Sequence, residues 1–192
     1  MARYGKEHKQ ATRQRITETA GRRFKRDGID GSGIATLMAD AGLTNGAFYA
    51  HFESKDDLVT TIIADQLRGQ REWISSTATD RAGVERLVRE YLSPTHRDNP
   101  EEGCPSAALL DEIGRCPDAA KQAYTDGLLG FIDDIAAVLA PRDPQSAQAK
   151  MLSAYALMVG TMQLSRALTD RQLSDQVLEQ GIQNVLTLLD IT

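Results

Sequence analysis

Signals for helix starts and stops recur along this chain, whereas strand signals are nearly absent. There is no sustained two-residue alternation, and Asn45-Gly46, a turn-type dipeptide, has flanks patterned as helix. Ile16, Ala20 and Phe24 recur every four residues, and Gly28 follows as a C-cap. Ser32 is placed to cap a short helix carrying Ile34, Leu37 and Met38; Gly42 ends it, and Thr44 is placed to cap another. Ser54 to Asp57 reads as a capping box opening a helix through Leu58, Ile62, Ile63 and Leu67 towards Trp73 and Ile74. Further helices are expected at about 81–93, 105–114 and 117–139. A break at 141–145 precedes two long helices at about 145–168 and 170–190. Residues 93–103 read as a polar, mobile loop. The expectation is an all-α protein of about nine helices.

The 192 residues, 41% hydrophobic, suffice for a real core. No apolar run approaches the roughly 18 residues of a membrane span, and the polar N-terminus lacks the apolar stretch of a secretory signal. A cytoplasmic protein is expected. Cys104 and Cys116 are too few for a disulfide framework, and a helix between them would hold their α-carbons about 18 Å apart, beyond the roughly 7 Å limit. The histidines, at 8, 51 and 96, are scattered, so no metal site or cofactor is implied. Charge is segregated. Residues 1–26 hold nine Lys or Arg against two acidic residues, and residues 56–192 hold twelve against twenty-one. A basic head on an acidic body fits a head that alone meets a polyanion; the plainer alternative is a solvated basic helix.

Two short helices at 34–40 and 45–51, joined across Gly42, make a helix-turn-helix. The longer pattern "GSGIATLMADAGLTNGAFYAHFESKDDLV" resembles the DNA-binding segment of the TetR family of bacterial repressors. The resemblance rests on Ala41-Gly42, Tyr49, His51-Phe52, Ser54-Lys55 and Leu58, with "RITETAGRRFKRDGID" similar to that family's first helix. It covers about residues 11–60, and beyond them only length and helical character correspond. The resemblance implies a DNA-binding head at 1–55, an effector-binding and dimerisation body at 56–192, and repression relieved by a small molecule. It places Thr44, Asn45, Gly46, Ala47, Tyr49 and His51 on or at the start of the recognition helix, with Lys55 and Ser32 as phosphate contacts.

Physical chemistry ranks those residues. Helix N-termini hold phosphates, which suits Ser32, Thr44 and Lys55. Asn45 is the side chain best suited to a base edge, able to pair with adenine in the major groove. Tyr49 can put its hydroxyl on a phosphate, Ala47 offers a methyl for thymine, and Gly46 permits close approach to the DNA backbone. His51 reads as a structural or phosphate-bonding residue, and Phe48 and Phe52 as core. The arm from Arg3 to Lys9 could add minor-groove or phosphate contacts.

In the body, the last two helices carry apolar stripes. Met151, Leu152, Tyr155, Val159 and Met162 lie on one; Leu173, Val177, Ile182, Val185, Leu186 and Leu189 lie on the other. Ala156 and Gly160 allow a close crossing. In the family such a pair packs against its two-fold mate, so a homodimer on double-stranded DNA is implied; an intramolecular core is the alternative. Trp73, Tyr91, Cys104, Leu109, Phe131, Tyr155 and Met158 are candidate walls of an effector pocket, or plain core. Each Cys-Pro pair fits N-cap and first residue of a helix, where a thiol becomes more reactive. A few members of the family this chain resembles sense electrophiles or oxidants through such a cysteine, so the resemblance makes Cys104 a sensor candidate, against the alternative of an inert buried thiol. An enzyme on the same scaffold finds little support. No nucleophile elbow, metal motif or phosphate loop is present, and the adjacent pairs Glu101-Glu102 and Asp133-Asp134 would point apart on a helix.

Overall fold

The computed structural model describes residues 2–191, with side chains from Glu7 onward. The side chains of Arg3 and Lys6, part of the expected basic arm, lie outside the described residues. Among those described there are nine α-helices, two short 3-10 helices and no strand.

α1 (Ala2–Asp27) buries Ile16, Ala20 and Phe24 on one stripe and stops at Gly28, whose φ of +83° is the left-handed value that favours glycine. α2 (Ile34–Asp40) is followed by Gly42 at φ +65°, where the Leu43 amide reaches back to the Met38 carbonyl at 2.8 Å. The chain then makes a 3-10 helix at Asn45–Ala50, tighter than the α-helix expected there. α3 (Lys55–Thr77) opens as its sequence indicates. The Ser54 hydroxyl accepts from the Asp57 amide at 3.1 Å, and the Asp57 carboxylate accepts from the Glu53 amide at 3.0 Å.

The remaining helices are α4 (Arg81–Tyr91), α5 (Pro94–Asp98), α6 (Pro105–Ile113), α7 (Asp118–Leu139), α8 (Pro144–Ala167) and α9 (Arg171–Leu188), with a second 3-10 turn at Pro100–Glu102. α7 packs along α3 so closely that a β-carbon on Gly127 would lie 2.6 Å from that of Leu67. Two buried clusters result. One joins α1, α2, the first 3-10 helix and α3 to Leu109, Ile113 and Ala120 of α6 and α7. The other fills the space between α4, α7, α8 and α9. α3 contributes to both.

Four local expectations are corrected. Segment 93–103 is folded: Ser93 caps α5, and Arg97, 6% exposed, is held by Asp98, Ser174 and Asp175. From α8, the Arg166 guanidinium donates to the carbonyls of His96, Arg97 and Ala107 at 2.8–3.1 Å. Gly33, not Ser32, occupies the N-cap of α2; Ser32 is fully buried and its hydroxyl donates to the Gly28 carbonyl at 2.8 Å. Cys104 caps α6 as expected, but Pro117 rather than Cys116 precedes α7. The apolar stripes of α8 and α9 mostly face the chain's own core: Met151, Tyr155, Val159, Met162, Ile182, Val185, Leu186 and Leu189 are buried there.

Candidate nucleic-acid interface and adjoining cavity

The 3-10 helix has two unlike sides. Phe48 and Phe52 are buried, their rings 5.6 Å apart, and fix the helix against α1 and α3. On the other side Thr44, Asn45, Gly46 and Tyr49 are exposed, Tyr49 by 67%. Thr44 occupies the N-cap position with extended backbone, but its hydroxyl makes no capping bond. A β-carbon on Gly46 would meet nothing within 4 Å, so no packing within this chain requires glycine there. Ala47 is half-buried against the head core, so its methyl is only partly presented. Lys55 stands half-buried at the start of α3. Ser32 does not join this surface: a phosphate contact would require its buried hydroxyl to leave Gly28.

His51 sits at the edge. Its carbonyl accepts from Arg13, while its Nδ1 is buried without a hydrogen-bond partner. Burial, then the cations of Lys9 and Arg13, lower its pKa and favour the neutral ring. Arg13 also lies 4.1 Å over the Phe52 ring and reaches the Thr61 hydroxyl at 3.2 Å. One α1 side chain thus pins the end of the 3-10 helix to both α1 and α3. The sequence gives no sign of this, because Arg13 looks like any cation on a basic helix.

The head is tied to the body by three further contacts. Glu112 of α6 accepts from the Ile29 and Asp30 amides at 2.7 and 3.2 Å. Lys25 of α1 donates to the Gly103 carbonyl at 2.9 Å, and Arg22 pairs with Glu102 at 3.1 Å. The Lys25 ammonium is partly desolvated, which lowers its pKa, and nearby Glu102 opposes that shift.

Residues 93–105 form the lip of a cavity of about 870 Å³ between α1, α3 and α4. Of the expected walls, Trp73, Tyr91 and Cys104 line it, joined by Lys25, Gln70 and His96. Leu109, Phe131, Tyr155 and Met158 do not. Leu109 belongs to the head core, and the other three lie in the body core, where the Phe131 and Tyr155 rings meet edge to face at 4.8 Å. Tyr155 still reaches the site through its hydroxyl, 3.3 Å from the Cys104 sulfur and 2.7 Å from the Ser106 hydroxyl; Ser106 is in turn 2.9 Å from the Tyr124 hydroxyl. Both cysteines are free thiols. Cys104 is 7% exposed, and burial raises the pKa of Cys116, against the expected activation.

His96 organises the lip. Its Nε2 accepts from the Cys104 amide at 3.1 Å, so the proton is on Nδ1, which donates to the Tyr91 carbonyl at 2.7 Å. Burial leads the lowering of its pKa, with Arg166 and Lys25 adding to it.

On the far side of α8, Leu152, Ala156, Gly160 and Leu164 recur every four residues and are exposed, Leu164 by 53%. A β-carbon on Gly160 would meet nothing within 4 Å, and Leu173 of α9 is exposed as well. Among the described residues no helix is long and apolar enough to cross a membrane, and no group of three metal-binding side chains occurs.

Comparison with known proteins follows this division. Residues 16–62 match the family described as bacterial regulatory proteins, tetR family. The chain is 40% identical over 62 residues to the HTH-type transcriptional regulator AcrR of Shigella flexneri, which covers 32% of this chain and 29% of that one. It is 33% identical over 87 residues to the HTH-type transcriptional regulator TtgR of Pseudomonas putida, which covers 45% of this chain and 41% of the relative. The likeness to these curated relatives therefore spans less than half of their length. Whole-chain similarity is structural. The reduced form of NemR from E. coli superimposes with a TM-score of 0.78 over 92% of this chain and 96% of that one, at 17% identity. A TetR-family transcriptional regulator from Agrobacterium tumefaciens gives 0.76 over 92% and 98%, at 20% identity.

Proposed function

The chain belongs to the TetR family of bacterial regulatory proteins, and on that premise we propose that it is a dimeric, ligand-responsive DNA-binding repressor acting in the cytoplasm. The observation that carries this reading is the two-sided 3-10 helix, with Phe48 and Phe52 buried behind an exposed Thr44, Asn45, Gly46 and Tyr49. Asn45 reads a base edge in the major groove. Thr44, Tyr49 and Lys55 hold phosphates, Gly46 allows the backbones to approach, and His51 and Ala47 sit at the margin. In this reading residues 1–55 are the DNA-binding head and 56–192 the effector-binding and dimerisation body.

The exposed α8 stripe from Leu152 to Leu164, with Leu173, supports pairing of two copies about a two-fold axis. Two heads so related would reach half-sites about 34–36 Å apart on a pseudo-palindromic operator. Release would follow from coupling. The cavity touches α1 and α3, and its lip is bonded to α1 through Lys25 and Arg22, so an effector favouring a different lip geometry would also shift the head. The test is a mobility-shift assay on genomic fragments selected by the native protein. Asn45→Ala and Tyr49→Ala should each weaken retention roughly tenfold or more with unchanged melting. Full retention by both would remove the DNA-reading assignment.

A second reading keeps the DNA-binding head but makes the Cys104 thiol the sensor. It is favoured by the position of Cys104 on the cavity wall beside the Gln70 amide and Tyr155 hydroxyl. It predicts that Cys104→Ser abolishes release by oxidants or quinones; unchanged release would dismiss it.

A further inference from the structure

Two residues of the cavity wall carry a buried polar atom without a hydrogen-bond partner: Gln66, at its amide oxygen, and Tyr91, which alone of the two has a proton to donate there. The Tyr91 hydroxyl is buried, its residue 8% exposed, and it makes no hydrogen bond. Buried hydroxyls are almost always paired, and an unpaired one carries a desolvation cost. Its neighbours are already engaged: His96 is bonded at both ring nitrogens, and the Cys104 thiol at Gln70 and Tyr155. Burial first, then the Cys104 thiol beside it, raise the Tyr91 pKa well above the ordinary phenol value, so the group is a neutral O–H with a proton to donate.

The rest of the wall narrows the partner. Trp73, the only tryptophan of the chain, lines the same cavity and is 39% exposed, an indole left partly open on the cavity wall. Glu90 and Glu102 outnumber Lys25 on this wall, so an anionic acceptor is disfavoured, and an ammonium group brings no lone pair to accept the Tyr91 O–H.

We propose that this cavity takes a neutral aromatic carbonyl compound, its ring against Trp73 and its carbonyl oxygen accepting from the Tyr91 hydroxyl. The inference rests on the ligand-responsive reading above and names the class of effector. The cavity, at about 870 Å³, is ample for a two-ring molecule. The ligand would complete a hydrogen bond beside the lip that Lys25 and Arg22 tie to α1, which places the recognition event next to the head.

Three probes of one shape test this: 2-acetonaphthone, 2-ethylnaphthalene and 2-naphthoate. Binding to the DNA-free protein is followed by the rise in melting temperature and by quenching of Trp73 fluorescence. The ketone should bind the native protein best. Tyr91→Phe should weaken it about tenfold, the worth of one good hydrogen bond, and leave 2-ethylnaphthalene unchanged. Trp73→Leu should weaken both neutral probes, read by melting alone. The proposal is overturned if Tyr91→Phe leaves the ketone unaffected, if 2-naphthoate binds tighter than the ketone, or if no probe binds. None of these results touches the mobility-shift test, so the ligand class can fail while the DNA-binding reading stands, and the reverse.

Discussion

The head and the body of this chain are held together by different physics. In the head, one aromatic pair and a stripe of aliphatics close a small core, and several of the bonds that set its turns and caps join near neighbours: Ser54 with Asp57, Ser32 with Gly28, Leu43 with Met38. In the body, segment 93–105 is held in place by cations: Arg166 arrives from α8, Lys25 from α1, and the segment's own Arg97 reaches across to α9. In the proposed function the head does the reading, and the body keeps its polar strength at the rim of a cavity. A regulator needs that division: the surface that reads should not deform, and the wall that senses should be able to.

The sharpest way to break this contrast is at the head's centre. Phe48→Ala should cost about 3–5 kcal/mol, as large-to-small aromatic changes in cores do, measured by urea unfolding. The small core offers little to collapse into the gap, so DNA retention should vanish with it. If stability falls by less than about 1 kcal/mol, the head is looser than its packing implies.

A smaller loss is expected where the body relies on a cation. Arg97→Ala removes donors to Asp98, Ser174 and Asp175. Because both carboxylates are partly in water, about 2 kcal/mol is expected rather than the full cost of a buried pair. The loss should appear as faster hydrogen exchange in 93–105 before any change in the head.

Acid should act on the same lip more gently. His96 is neutral in the fold with a lowered pKa, so above about pH 6.5 folded and unfolded chains bind equal numbers of protons at this site and it contributes no pH dependence. As pH falls through that value the unfolded chain takes up the proton first, and stability declines until the lower folded pKa is passed. Protonation would also end the acceptance of the Cys104 amide by Nε2. His96→Gln should flatten this part of the stability–pH curve. An unchanged slope would move the effect to His51, which is shifted in the same direction.

These contrasts explain what the sequence makes legible. The head is readable because its determinants are local: four-residue spacing in Ile16, Ala20 and Phe24, glycine where φ is positive at Gly42, and a cap followed by its partner three residues later at Ser54. Helix type is less readable. The segment from Asn45 is too short for periodicity to distinguish a 3-10 from an α-helix. The lip is not readable at all, since a guanidinium that donates to main-chain carbonyls some 59 to 70 residues away leaves no pattern in residue types. The same holds for Arg13 on the His51 carbonyl and Glu112 on the Ile29 amide. For the pocket, apolarity alone could not separate Trp73 and Tyr91, which line the cavity, from Phe131 and Met158, which lie in the core.

The smallest expected effect on stability is also the most informative about the head. A methyl at position 46 meets nothing within 4 Å, and Gly46 carries no positive φ, so Gly46→Ala should leave unfolding unchanged or raise it by up to about 1 kcal/mol through lost unfolded-state freedom. A glycine that the fold does not need is what the proposed close approach of DNA would require. The methyl would stand between the start of the 3-10 helix and the DNA backbone, so DNA retention should fall severalfold while melting holds. If Gly46→Ala binds DNA as tightly as the native protein, the close approach is absent. The recognition surface would then have to be redrawn around Tyr49 and Lys55, towards the C-terminal end of the 3-10 helix and the start of α3.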